Sequence, residues 1–506
     1  MASKYPVKLL AFLLVCACIS WNAVCASPQC TLHGGIPAVR NRQKEIFAEH
    51  REVQSREREI LLMDRKFQIN SIPAGQLYQL KVQFDTTPLL KLENKSTYTF
   101  LTTILAPRLA KYFEKLLKLR QPPASVVQPF FSECYESRFS KSFVFDGGLG
   151  ILMTASTYNE VSPTYVAFSV VCRLDKLTNR PILGQLNLNP KEILPRHSVS
   201  IFETCVHELF HIVGFSSELF PFFINEDLDP LGPELFVRSP EGEVVGLKTP
   251  RLLQEAREYY TCPDVQSIPL EDDGASGSRG SHWERSQFAD ELMTASSQPN
   301  SKVSGFTLAL LEDSGWYSPE YLLKEQFSFG KQSGCTIPTV PECAEIFSQG
   351  CSMDFKSKGF CRKDMFASGV QTMVAIPDGL CAGDHRSRIT SPDKFLQLRA
   401  FRSTCFEVDF TRTINRVNYS LQGGACYEAL CLHGVSGELS VAVKVNGKLY
   451  TCVEDNQVIV LQDEILQGSL KCPNLKAYCL ADRPCEEGCM QVGRCLENGG
   501  CFYYDP

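Results

Sequence analysis

One stretch restricts this chain more than any other: His207-Glu208-Leu209-Phe210-His211-Ile212-Val213-Gly214-Phe215. Two histidines four apart share one face of a helix, so both imidazoles can point at a single metal ion. Glu208, one position further round, can take a proton from a water held there. The surrounding residues Ile201, Phe202, Val206, Leu209, Phe210, Ile212 and Val213 are apolar. That pattern predicts a buried helix over about 199–213, with Gly214 as its stop. Burying two histidines and a glutamate without partners is costly, so the pattern points to a metal site rather than to an incidental pair.

A chain of 506 residues is long enough for two to four domains. Its net charge of −6 and the lack of a basic stripe argue against nucleic acid as a partner. Residues 1–26 read as a secretory signal. Lys4 and Lys8 form a charged start, Leu9–Ile19 an apolar core, and Val24-Cys25-Ala26 a small-residue cleavage site. Eleven apolar residues are too few to span a membrane, and no other run is long enough. The final Phe502-Tyr503-Tyr504-Asp505-Pro506 lacks the apolar tail of a lipid-anchor signal. The expectation is a soluble protein in the secretory lumen or outside the cell.

The cysteines agree with that compartment. Of 23, Cys16, Cys18 and Cys25 would leave with the signal, and most of the remaining 20 lie after residue 330. In an oxidising compartment these predict disulfides, whose pairing the sequence leaves open. Asn94-Lys95-Ser96 and Asn418-Tyr419-Ser420 are sequons for N-glycosylation.

Along the chain, residues 27–72 are charged and poor in core pattern. Their dense run from Arg42 to Lys66 reads as a solvated helix or, more sharply, as a removable prosegment. Residues 73–216 form an N-terminal catalytic subdomain of mixed strands and helices. Leu80–Phe84 and Tyr165–Val171 read as strands. Leu101, Ile104, Leu105, Leu109 and Tyr112 recur at helical spacing within about 98–119, where Pro107 marks a kink or a true start. Residues 217–330 make a central subdomain, irregular to 281, with a flexible loop at Asp272–Gly280 and helical pattern at Arg251–Tyr260. A cysteine-rich domain at 331–480 follows. A small EGF-like disulfide module at 481–506 closes the chain.

Two histidines do not complete a catalytic zinc site, which needs three protein ligands and an open position. In the compact metzincin motif a third His stands three residues after the Gly; here that place holds Ser217. His282 stands out instead, in Gly280-Ser281-His282-Trp283-Glu284, with 67 residues between Gly214 and it and Met293 of Asp290-Glu291-Leu292-Met293-Thr294 following 11 later. With this split motif the chain resembles the leishmanolysin family of metallopeptidases, in which a long insertion precedes the third His and the Met-turn follows. The resemblance takes in Ala167-Phe168-Ser169-Val170-Val171-Cys172 and Arg180–Asn187, and covers about 90–485.

The resemblance implies an α+β, metzincin-type catalytic domain followed by a disulfide-rich C-terminal region. It implies one Zn2+ held by His207, His211 and His282, Glu208 as general base and then acid, Met293 in a turn beneath the metal, and Gly214 where the chain bends away. The function implied is a secreted zinc endopeptidase acting on proteins and peptides. Family prosegments carry a cysteine that blocks the metal. Cys30, the sole cysteine between the signal and Cys134, is that candidate or else a disulfide partner. If Cys30 is the switch, one of the remaining cysteines is unpaired, and Cys205 on the metal helix, two before His207, is the candidate. Two other readings compete: a catalytically silent adhesion or binding protein on the same fold, and a zincin whose third ligand is Glu255 or Glu258.

Overall fold

A computed structural model describes residues 37–503 apart from short internal gaps, among them 158–164, 194–197, 274–277 and 382–392. The expected signal at 1–26 and Cys30 lie outside the described residues.

The chain enters through helix α1 (Pro37–Arg56). Its charged surface conceals a buried stripe, Val39, Gln43, Phe47 and His50, at helical spacing. The stripe escapes a hydrophobicity count because half of it is polar. α1 is therefore not simply solvated. Phe47 stacks on Phe222 at 5.5 Å, and His50 Nε2 lies 3.0 Å from Asn179 Oδ1.

A four-stranded sheet follows: β1 (Val82–Asp85), β2 (Leu149–Thr154), β3 (Ala167–Leu174) and β4 (Pro181–Leu188), in the order β1-β2-β4-β3. β1, β2 and β4 run parallel, and β3 lies antiparallel at the edge. β2 and β4 are buried along their whole length, as strands covered on both faces must be. α1 sits at β3, where the Gln43 side chain completes a pair of hydrogen bonds with the Val171 backbone. Its Nε2 donates to the carbonyl at 3.1 Å, and its Oε1 accepts from the amide at 2.8 Å.

The helical stretch between β1 and β2 is segmented. A short helix (Lys95–Thr99) passes through a wider π-type turn (Phe100–Leu105) into α2 (Ala106–Leu116). Pro107 lies in the first turn of α2, where its missing N–H matters least. The helix stops short of 119, because Leu117–Leu119 instead pairs with Tyr78–Gln79 and Tyr317–Pro319.

Helix α3 (Ser198–Val213) packs on β3 and β4. Phe210 meets Phe113 of α2 edge-on at 5.2 Å. α4 (Pro250–Tyr260) and α5 (Gly305–Asp313) lie against each other and share one continuous core with α2, α3, Trp283 and Met293.

Beyond residue 340 the chain is mainly strands. β5 (Ser403–Ile414), β6 (Val417–His433), β7 (Leu439–Val445), β8 (Lys448–Cys452), β9 (Val458–Gln462) and β10 (Gln467–Lys471) form an antiparallel sheet ordered β8-β7-β6-β5-β10-β9. Phe406, Phe410, Tyr427, Val441 and Leu470 supply its separate core. Among the described residues there are nine disulfides, and seven lie wholly in this region. Cys205 is the free, buried cysteine among the described residues. The last hairpin, β11 (Gly493–Cys495) and β12 (Cys501–Tyr503), is stapled by Cys485–Cys495 and Cys489–Cys501. It returns to the first half of the molecule, where Phe502 meets Tyr112 edge-on at 5.2 Å. Among the described residues no helix is long and apolar enough to cross a membrane.

Phe210 links α3 to α2 at the centre of this core. Phe210→Ala should destabilise the protein by about 3–5 kcal/mol, read as a fall in the thermal unfolding midpoint; a loss below about 1 kcal/mol would contradict the packing described.

Candidate metal centre

α3 presents His207 and His211 from one face, and both are buried. His282 arrives from the far end of the insertion and is also buried. The three rings offer nitrogen atoms within 4.8 Å of one another. His211 Nε2 and His282 Nε2 stand 2.9 and 3.3 Å from His207 Nε2.

The opposite ring nitrogens fix the tautomers. His207 Nδ1 lies 2.7 Å from the Leu292 carbonyl, His211 Nδ1 2.6 Å from that of Phe215, and His282 Nδ1 2.9 Å from that of Ser278. A carbonyl oxygen only accepts, so each Nδ1 carries the proton and each Nε2 turns a lone pair inward. Burial pushes His207 down to about 4, against a smaller upward pull from the Leu292 carbonyl, so its ring is neutral at neutral pH. With all three rings neutral, three inward lone pairs repel one another. A cation among them removes the conflict, and three neutral imidazoles are a donor set that suits zinc.

Glu208 is buried and follows His207 directly. Ser169 Oγ on β3 donates to its Oε2 at 2.8 Å, which holds the carboxylate toward the edge strand. Cys205, on the same helix, is driven well above its ordinary pKa by burial and then by Glu208, so it stays a thiol.

Backbone pairing brings His282 back to the helix. Ser217 occupies the position where a compact motif would carry its third His. Its N–H reaches Ser281 Oγ at 3.1 Å, and the two hydroxyls are also 3.1 Å apart. Both ends of the insertion therefore meet. Gly280 makes this possible: its φ is +69°, and a Cβ there would fall 2.6 Å from the Val244 carbonyl. Inside the insertion a small antiparallel sheet (236–238, 244–247, 268–269) leads into Glu271, whose N–H donates to the His282 carbonyl at 2.9 Å.

Met293 is buried in a turn tied to the segment that carries the third histidine, with Trp283 N–H donating to the Met293 carbonyl at 2.9 Å. Glu291 braces that turn from inside. Its carboxylate accepts from the Met293 amide, from Ser304 Oγ at 2.8 Å and from Thr307 Oγ1 at 2.5 Å. Burial pushes Glu291 up to about 7, while these donors draw it down.

Gly214 ends the helix, though not through a left-handed bend, since its φ is not positive. A side chain there would strike Leu311 Cδ2 at 2.9 Å. The close approach lets the chain turn so that the Phe215 carbonyl faces His211. Asn94 and Asn418 are both exposed, and Asn94 Oδ1 caps its helix by accepting from Ser96 and Thr97 N–H.

Glu255 and Glu258 do not join the histidines. Glu255 pairs with Arg251 at 3.1 Å, and Glu258 accepts from Gln254 at 2.9 Å. Sequence reasoning missed Ser169 and Glu291 as parts of the site. A serine on an edge strand carries no signal of its own, whereas Glu291 stands two residues before Met293 in the motif already singled out.

Residues 92–353 match the family described as leishmanolysin. The chain belongs to the leishmanolysin family. This is a family of metallopeptidases, which accounts for the metzincin-type α+β architecture. The chain is 25% identical over 429 residues to a leishmanolysin-like peptidase of Caenorhabditis briggsae, covering 64% of each chain. It is 31% identical over 203 residues to a leishmanolysin homolog of Crithidia fasciculata, covering 40% of this chain and 29% of that one. It is also 27% identical over 333 residues to the ciliated left-right organizer metallopeptidase of Xenopus laevis, covering 62% of this chain and 44% of that one. The chain thus spans less than two thirds of the length of these leishmanolysin relatives.

Beside His282, burial and then Glu284 raise the Glu271 carboxyl from 4.5 to about 9. The folded state therefore keeps a proton that the unfolded chain has lost, so stability falls as pH rises from 4.5 through about 9. Glu271→Gln should flatten that fall relative to wild type in thermal melts over this range; parallel curves would refute the shift.

Proposed function

We propose that this protein is a secreted zinc endopeptidase, with His207, His211 and His282 as the metal ligands and Glu208 as the proton carrier. The observation that carries this reading is the arrangement of three buried imidazoles with converging Nε2 atoms and a buried carboxylate one residue from the first. When bound, zinc supplies the charge that acidifies a water and polarises a peptide carbonyl.

The chain's own groups do the rest. Glu208 takes the proton from the attacking water and later passes it to the leaving amine nitrogen. Ser169, by donating to Oε2, keeps that carboxylate in one orientation. The carbonyls of Leu292, Phe215 and Ser278 hold the imidazoles as inward donors. Met293, fixed by Glu291 and Trp283, floors the site. The disulfides suit an extracellular or secretory-lumen setting, and the exposed Asn94 and Asn418 are open to glycosylation there.

The same reading makes 27–72 a prosegment, with Cys30 as the group that blocks the metal. Its helix α1 supports this role by lying against β3, the strand that also carries Ser169.

Glu208→Gln should retain zinc yet lose casein cleavage by about a hundredfold or more; full cleavage would refute the mechanism. A wild-type protein that holds zinc but cleaves nothing would instead point to an adhesion or binding role on the same fold. His282→Ala should lose zinc, and undiminished zinc content would refute its assignment. Cys30→Ser should be constitutively more active than the wild-type precursor; equal activity would overturn the switch.

A further inference from the structure

Glu203 stands one turn before His207 on α3, buried at 8% exposure. Its Oε1 accepts from Arg494 Nη1 at 3.2 Å, across 291 residues of sequence. Arg494 is itself 6% exposed, within the C-terminal hairpin. All three of its guanidinium nitrogens donate. Nε and Nη2 donate to the two oxygens of Glu325, the latter at 2.6 Å, and Nη2 also donates to the Ser301 carbonyl at 2.6 Å.

These partners belong to the parts that build the metal centre. Glu203 is on the helix that carries two histidines. Ser301 begins the strand-like segment that runs back along the Met-turn, where the Leu292 N–H donates to the Lys302 carbonyl at 2.7 Å. The Leu292 carbonyl in turn accepts from His207 Nδ1 at 2.7 Å. Glu325 closes the circuit: its Oε2 accepts from the Val303 N–H at 3.0 Å, and its own N–H donates to the Val303 carbonyl at 2.8 Å. One planar fork therefore holds α3 and the segment behind Leu292 at a set separation.

We propose that Arg494 is a positioning residue for the metal centre, setting the spacing between α3 and the Leu292 carbonyl that orients His207. This rests on the reading of His207, His211 and His282 as metal ligands. The disulfide-stapled hairpin is then a working part of the site and not an appendage. It is anchored there by the Phe502–Tyr112 contact and by Glu497, which pairs with Lys324 at 2.7 Å.

The test uses the full-length protein in three variants. Arg494→Lys keeps the charge but not the fork. Arg494→Met removes both. Arg494→Met/Glu203→Gln/Glu325→Gln removes the cation together with the buried charges it would strand, so that it folds even where Arg494→Met alone does not. The readouts are the rate of zinc loss to a chelator, the visible spectrum of the cobalt(II)-substituted protein, and the thermal midpoint. Arg494→Lys and the triple variant should stay folded, release zinc about tenfold faster or more, and show a shifted cobalt band. Folded variants that match wild type in both release rate and spectrum overturn the role of Arg494 alone. A wild-type protein that takes up neither zinc nor cobalt overturns the metal reading, and this role with it.

Discussion

Three imidazoles whose Nε2 atoms converge, 2.9 and 3.3 Å from that of His207, form a donor set that a cation would satisfy, and the fold is organised to make them face one another. Each ring is turned inward by a main-chain carbonyl, and the three carbonyls come from different places: Phe215 just past the helix, Ser278 in the insertion and Leu292 before the Met-turn. Backbone carbonyls cannot be mutated away. Their positions therefore depend on everything that sets the course of those three segments: the bend at Gly214, the turn at Gly280 and the bracing of Met293 by Glu291.

The helix of the site was fully legible. His207, Glu208 and His211 declare themselves by spacing, and the apolar residues around them give the helix bounds to within one residue. His282 and Met293 were legible as a spaced pair through family resemblance, not through local pattern. Contacts between side chains of ordinary composition could not be read. Nothing local marks Ser169 as the partner of Glu208, or Gln43 and His50 as buried faces of a helix crowded with charge. Long-range polar contacts leave no periodic trace, because each needs only one residue at each end.

The two halves of the chain use different means to stay folded. The first buries a continuous core of large apolar side chains around α3 and holds two of the nine disulfides. The second spreads its strands into a sheet with a smaller core and carries the other seven. Small cores gain most from crosslinks that restrict the unfolded chain. Cys205 belongs to the other regime: inside the large core it packs as a small apolar side chain.

The meeting of Ser217 with Ser281 has a bearing on how such a chain can change over time. The segment between them departs and returns at one point, so the distance from Gly214 to His282 through space does not depend on how many residues lie between. Doubling a flexible loop costs only about 0.6 kcal/mol in closure entropy. Surface turns within the insertion can change length at this small cost, whereas Ser278, which orients His282, Glu271, which pairs with its carbonyl, and α4, which joins the shared core, tie the rest of the segment to the site.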